Sequence, residues 1–102
     1  MAPRIKFSKL SGAGNDFVLL EGPLPAARAR VLARRLCPRQ GVGADGLLVA
    51  ARKSLRVEHY NGDGSRAFCG NGARCAAWWL VNRGWAGPRF DFSFSGISVK
   101  AL

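Results

Sequence analysis

Apolar and polar positions alternate in short runs along the chain, and each run predicts an element. Ile5 and Phe7 alternate with charged residues and predict a first strand. "DFVLLE", Asp16 to Glu21, predicts a second, reached through the glycine-containing connection "SGAGN". "PLPAARARVLARRLCP" has helical spacing, with Ala27, Val31, Leu32 and Leu36 as its apolar stripe. Pro25 suits the first turn of that helix and Pro38 ends it. "GLLVAAR" is a continuous apolar run of strand length and predicts a buried strand. "LRVEHY" alternates, with Leu55, Val57 and His59 on one face and Arg56, Glu58 and Tyr60 on the other. The turn signal "NGDG", Asn61 to Gly64, follows directly.

A second helix is predicted to open near Asn71 and to end at Gly84. It carries Ala73, Ala76, Ala77, Trp78, Trp79, Leu80 and Val81, and Arg74 is the one charge between Gly70 and Asn82. A helix apolar on nearly all sides belongs in a core, so both tryptophans are expected to pack against strands. Phe90, Phe92 and Phe94 then alternate with polar residues, and "ISVKAL" alternates again after Ser95 and Gly96, which predicts a hairpin. Six strands and two helices make an α+β domain, its mixed or antiparallel sheet wrapped around the central hydrophobic helix. Residues 1–102 are read as one domain.

Composition narrows the function. Hydrophobic residues make up 48% of the chain, which excludes a disordered class. The formal charge of +10 admits a nucleic acid or an acidic ligand as partner. No nucleic-acid module signature accompanies it, so the arginines are read as solvated surface and no nucleic-acid partner is expected. The three cysteines, Cys37, Cys69 and Cys75, are odd in number, include no C-x-x-C pair and accompany a single histidine. Neither a disulfide framework nor a metal site is expected. The start "MAPRIKFSK" lacks the apolar stretch of a signal peptide, and no apolar run reaches spanning length. The expectation is a cytoplasmic protein with reduced thiols and no membrane contact.

Two features mislead. "GVGADG" has G-x-G-x-x-G spacing at Gly41, Gly43 and Gly46. A dinucleotide fingerprint needs a strand before it and a helix after it, and here the order is reversed, so it reads as a helix-to-strand turn. His59 is a lone histidine on an alternating strand and reads as a packed or half-exposed strand residue rather than a catalyst.

"FCGNGARC", Phe68 to Cys75, is different. Glycines at 70 and 72 allow a tight turn with exposed amides, Asn71 is a good N-cap, and a helix starts at once. The first N–H groups of a helix lack partners, and the local field favours negative charge. A carboxylate can dock on the amides after Cys69, and the same field stabilises a thiolate there. A thiolate serves as nucleophile or as proton acceptor. The competing reading is a buried cysteine beside a glycine turn. Cys75 lies six helical positions from Cys69, a rotation of about 600°, and is assigned to the core, while Cys37, before Pro38 at a helix end, reads as structural.

These segments resemble diaminopimelate epimerase, in particular its N-terminal half. "FSKLSGAGNDFVLLE", "GVGADGLLV", "YNGDGSRAFCGNGARCAAWWLV" and the closing strands carry the match in the family's order and cover nearly the whole chain. The resemblance implies an isomerase, independent of pyridoxal phosphate and metals, that interconverts LL- and meso-diaminopimelate in lysine and peptidoglycan synthesis. It implies two pseudo-symmetric halves, each wrapping a sheet around a hydrophobic helix and each supplying one cysteine to opposite sides of the substrate α-carbon. Carried over by motif position, Cys69 is one catalytic cysteine, the backbone of Gly70 and Asn71 holds the substrate carboxylate, and Asn15 and Asn61 contact substrate. Without the resemblance, Asn15 and Asn61 read as turn residues.

The chain also departs from that pattern. Some members have a glutamine that reaches substrate where this chain has Gly46. The C-terminal half, with the second cysteine, is not represented. The resemblance therefore implies that this chain needs such a half, a second chain, or a homodimer that brings two copies of Cys69 together. A non-catalytic domain of the same fold, and a racemase for another amino acid, are the alternatives.

Overall fold

The computed structural model describes residues 6–101. Strands β1 (Ser8–Gly12), β2 (Asn15–Glu21), β3 (Gly46–Ala51), β4 (Arg56–Asn61), β5 (Phe90–Phe94) and β6 (Ile97–Ala101) lie side by side in chain order in one sheet. Helix α1 (Ala26–Leu36) joins β2 to β3, and α2 (Gly70–Asn82) joins β4 to β5. These two steps are parallel and the other three antiparallel, so the sheet is mixed. A parallel step needs a crossover, and each helix provides one.

The same rule separates the helices. Both crossovers step the same way across the sheet, but β4 and β5 run opposite to β2 and β3. Right-handed connections then place the two helices on opposite faces. The core divides accordingly. Phe17, Leu19, Leu48, Ala50, Val57, Phe92 and Phe94 meet α2 through Ala73, Ala76, Trp79 and Leu80. Val18, Leu20, Leu47, Val49 and Tyr60 meet α1 through Ala29, Leu32 and Ala33. Successive strand residues thus alternate between two buried faces. Leu10 from β1 and Val99 and Ala101 from β6 close the arc around α2.

Three sequence expectations need correction. The first strand begins at Ser8, Phe7 is exposed, and Ile5 lies outside the described residues. On α1 the buried seam is Ala29, Leu32 and Ala33, whereas Ala27 and Val31 are exposed. Small residues one turn apart let the helix approach the sheet closely, and that sets the phase. Finally, α2 is not buried all round. Trp79 is 4% exposed and donates its indole N–H to Ser8 Oγ at 3.3 Å, but Trp78 is 62% exposed. The arc from β1 to β6 leaves a stripe of α2 open, formed by Arg74, Trp78 and Val81. Among the described residues no helix is long and apolar enough to cross a membrane.

Candidate active site

One end of the sheet gathers the polar residues. Phe17, Gly46 and Asn61 stand side by side across β2, β3 and β4. Asn15 opens β2 two residues before Phe17, and two residues along a strand share a face, so it lies on the α2 side. Asn61 closes β4 on that side too, two residues beyond His59. The start of α2 is tied to the same end, because Asn71 Nδ2 donates to Asn15 Oδ1 at 2.6 Å.

The helix cap lies two residues earlier than its sequence predicts. The N-cap is Cys69, not Asn71. Cys69 is extended (φ −143°, ψ 116°), and its Sγ accepts the N–H of Gly72 at 3.4 Å. Sulfur occupies the place that a serine or aspartate oxygen takes in ordinary caps. Ala73 N–H already bonds to the Cys69 carbonyl, so the helical ladder begins there. Gly70 and Asn71 are then the first two helical residues, whose N–H groups have no acceptor inside a helix. The approach to Gly70 is open, since a Cβ there would meet nothing within 4 Å. Gly72 is different: a Cβ would come 3.2 Å from Phe94 and 3.4 Å from Phe17. That glycine lets α2 sit down on the two rings.

The thiols differ in setting. Cys69 is half-buried, and Cys37 and Cys75 are buried. Burial pushes the Cys75 thiol above its ordinary range, and a charge on Cys69 adds to this. Cys37 is raised by burial and then by the Asp45 carboxylate.

His59 supports the approach to Cys69. It is 3% exposed, with its ring stacked on Phe94 and edge-on to Phe17. Its Nδ1 pairs with the Ala67 carbonyl at 2.9 Å, and its own carbonyl accepts the Ala67 N–H at 3.2 Å. Burial lowers its pKa more than the Ala67 bond raises it. A neutral ring with its proton on Nδ1 therefore ties β4 to the residues just before Cys69.

Asn61 bonds locally. Its N–H donates to the Ser65 carbonyl at 2.8 Å and its Nδ2 to Ser65 Oγ at 3.0 Å, while its carbonyl accepts the Gly64 N–H and so closes the "NGDG" turn. Asn15 Nδ2 donates to Asp45 Oδ2 at 3.3 Å, and Arg74 Nη1 donates to Asn71 Oδ1 at 3.1 Å. Asp45, Arg74 and His59 were not among the residues singled out as functional. Faint signals pointed to two of them: "GADG" just ahead of a strand for Asp45, and a lone charge on an apolar helix for Arg74.

No protein-family model matches the chain. Curated relatives do. The diaminopimelate epimerase of Methanocella arvoryzae is 41% identical over 96 residues, covering 86% of this chain and 34% of the relative. That of Xanthomonas euvesicatoria pv. vesicatoria is 49% identical, covering 97% of this chain and 39% of the relative. This chain is a relative of the diaminopimelate epimerases. It spans between 31% and 39% of the length of the diaminopimelate epimerases it matches. The O-ureido-serine racemase of Streptomyces lavendulae is 46% identical over 84% of this chain and 33% of its own length. Among solved structures, a phenazine biosynthesis protein PhzF family member from Enterococcus faecalis superposes with a TM-score of 0.67 at 12% identity, over 94% of this chain and 38% of that one. A Bacillus anthracis member of that family gives 0.60 at 13% identity, over 94% and 33%. These two show the fold alone. The diaminopimelate epimerase relatives match the resemblance read from "CGNGARC" and "NGDGS".

Proposed function

We propose that this chain forms one half of the active site of an amino-acid epimerase acting on diaminopimelate. The observation that carries the reading is the seat of Cys69. A half-buried thiol caps α2 beside two helix-start amides, with Asn15 and Asn61 at the same sheet end. The substrate α-carboxylate would lie on the N–H groups of Gly70 and Asn71, where helix geometry favours an anion. Asn15 and Asn61 would contact the substrate. With the carboxylate held, the α-carbon faces the Cys69 sulfur. As thiolate, Cys69 takes the α-proton, and the electron pair left on carbon is delocalised towards the bound carboxylate. As thiol, it returns a proton from the same face.

Inversion needs a second group on the opposite face. Cys37 and Cys75 are buried in the two cores and do not serve. That group would come from a second half of similar fold, in the same protein or in a partner. Free thiols fit a reducing compartment such as the cytoplasm. The Streptomyces lavendulae relative, named a racemase of O-ureido-serine, favours a second reading in which the substrate is a different amino acid.

Protection of the thiol tests the proposal. LL-diaminopimelate is expected to slow iodoacetamide labelling of Cys69, and an amine of similar length without carboxylates is not. Equal labelling with and without the amino acid contradicts the carboxylate cradle. Protection by O-ureido-serine but not by diaminopimelate selects the second reading.

A further inference from the structure

Asp45 and Arg74 stand at the two ends of one line of side-chain hydrogen bonds. Asn15 Nδ2 donates to Asp45 Oδ2 at 3.3 Å, Asn71 Nδ2 to Asn15 Oδ1 at 2.6 Å, and Arg74 Nη1 to Asn71 Oδ1 at 3.1 Å. The line joins the loop before β3, the start of β2 and the first two turns of α2.

Its ends differ in kind. A carboxylate only accepts and a guanidinium only donates, whereas an asparagine amide does either, according to which way it is turned. Against Asp45, Asn15 must present its NH2, which leaves its oxygen towards Asn71. Against Arg74, Asn71 must present its oxygen, which leaves its NH2 towards Asn15. The two demands meet in the middle as donor and acceptor. Turning either amide over would set like against like in two bonds at once. Asp45 is itself well held. The Asp16 N–H donates to the same oxygen at 2.8 Å, and this bond, more than that from Asn15, keeps the carboxyl below its usual range.

We infer that Asp45 and Arg74 are positioning residues that fix the orientation of the Asn15 and Asn71 amides, so that the groups left to a ligand are N–H donors. Both amide oxygens are engaged within the line, and each NH2 keeps one hydrogen outside it. Spare donors beside the Gly70 and Asn71 backbone amides suit a carboxylate. This last step rests on the epimerase reading. The orientation does not.

Side-chain amide signals of the 15N-labelled chain separate the two. Arg74→Gln and Asp45→Asn replace a one-way group by one that faces either way. Arg74→Gln is expected to disturb Asn15, and Asp45→Asn to disturb Asn71, although neither pair touches. Exchange of those amide hydrogens should quicken by about tenfold, in line with loss of a charge-assisted bond. Arg74→Lys, which still only donates, should keep the native pattern. Both positions are exposed, and the indole N–H signal of Trp79 reports whether each variant keeps its core. Disturbance confined to the immediate neighbour, or Arg74→Lys behaving like Arg74→Gln, overturns the inference, and the Arg74 pair decides it alone if Asp45→Asn unfolds. Titration of the native chain with LL-diaminopimelate then tests the ligand. A line that behaves as expected while Asn15 and Asn71 ignore the amino acid keeps the orientation and overturns the carboxylate reading.

Discussion

His59 Nε2 stands where a side chain at position 46 would begin. A Cβ on Gly46 would lie 2.5 Å from that nitrogen and 3.0 Å from the neighbouring ring carbon. The two residues face each other diagonally across β3 and β4, since Gly46 pairs with Asn61 and Leu48 with His59. The ring is held by Ala67 on one edge and lies between Phe17 and Phe94. It has nowhere to retreat, so the histidine dictates the glycine. A glutamine at position 46, as the resemblance associates with some family members, requires a smaller residue at 59.

Gly46→Ala is therefore expected to destabilise the chain by about 1–3 kcal/mol, the range for overpacking a filled core. Removing the ring in His59→Ala should make the same glycine substitution far less costly. A double-mutant cycle by urea unfolding checks this, and additive effects would show that the two residues do not compete for space.

The ring also predicts a pH dependence. Burial lowers the His59 pKa, so the folded chain prefers the neutral ring and the unfolded chain binds more protons. The stability that the neutral ring contributes is complete above the ordinary histidine value of about 6.5. It is lost as the pH falls from there towards the lower folded value. Thermal melts from pH 7.5 down to 5 should show a falling midpoint. His59→Gln, which does not titrate, should flatten that stretch of the profile. A profile unchanged by the substitution would assign the acid sensitivity elsewhere.

The cysteines should separate by reactivity. Cys69 is half-buried, while Cys37 and Cys75 are buried with raised thiol pKa values. Labelling followed by mass mapping of the folded chain near neutral pH should modify Cys69 at least about tenfold faster than either. Equal rates would contradict the placement of the thiols.

The adjacent tryptophans should separate by stability. Trp79 is buried in the α2 core and Trp78 is exposed on the open stripe. Trp79→Ala is expected to cost about 3–5 kcal/mol, and Trp78→Ala less than about 0.5 kcal/mol. Similar losses from both would mean that the open stripe is covered in solution.

Much of this was legible in the sequence because it depends on local period and turn chemistry. The alternation in "LRVEHY" and "FDFSF", and the turn at "NGDG", needed no partner to be read. A six-stranded α+β sheet around α2, mixed or antiparallel, followed from those pieces, and the two parallel steps came from the fold. The phase of α1 was hidden because alanines carry its buried seam while Val31, more apolar, points to solvent. The cap was misassigned because asparagine is the commoner capping residue, and a thiol takes that place here. Exposure of Trp78 depends on how far the sheet curls, which no local pattern reports. The Asp45–Asn15–Asn71–Arg74 line joins residues far apart in the chain, and only the fold assembles it.

The one-faced placement of Cys69 is tested most directly by incubating the purified chain with LL-diaminopimelate in deuterium oxide, following chirality and α-deuteration together. One proton-transfer group returns a proton only to the face it came from. The prediction is that no meso isomer forms, and that any α-deuterium stays in the LL isomer and disappears in Cys69→Ala. Accumulation of the meso isomer, abolished by Cys69→Ala, would contradict the account and show that two copies of Cys69 meet across a dimer.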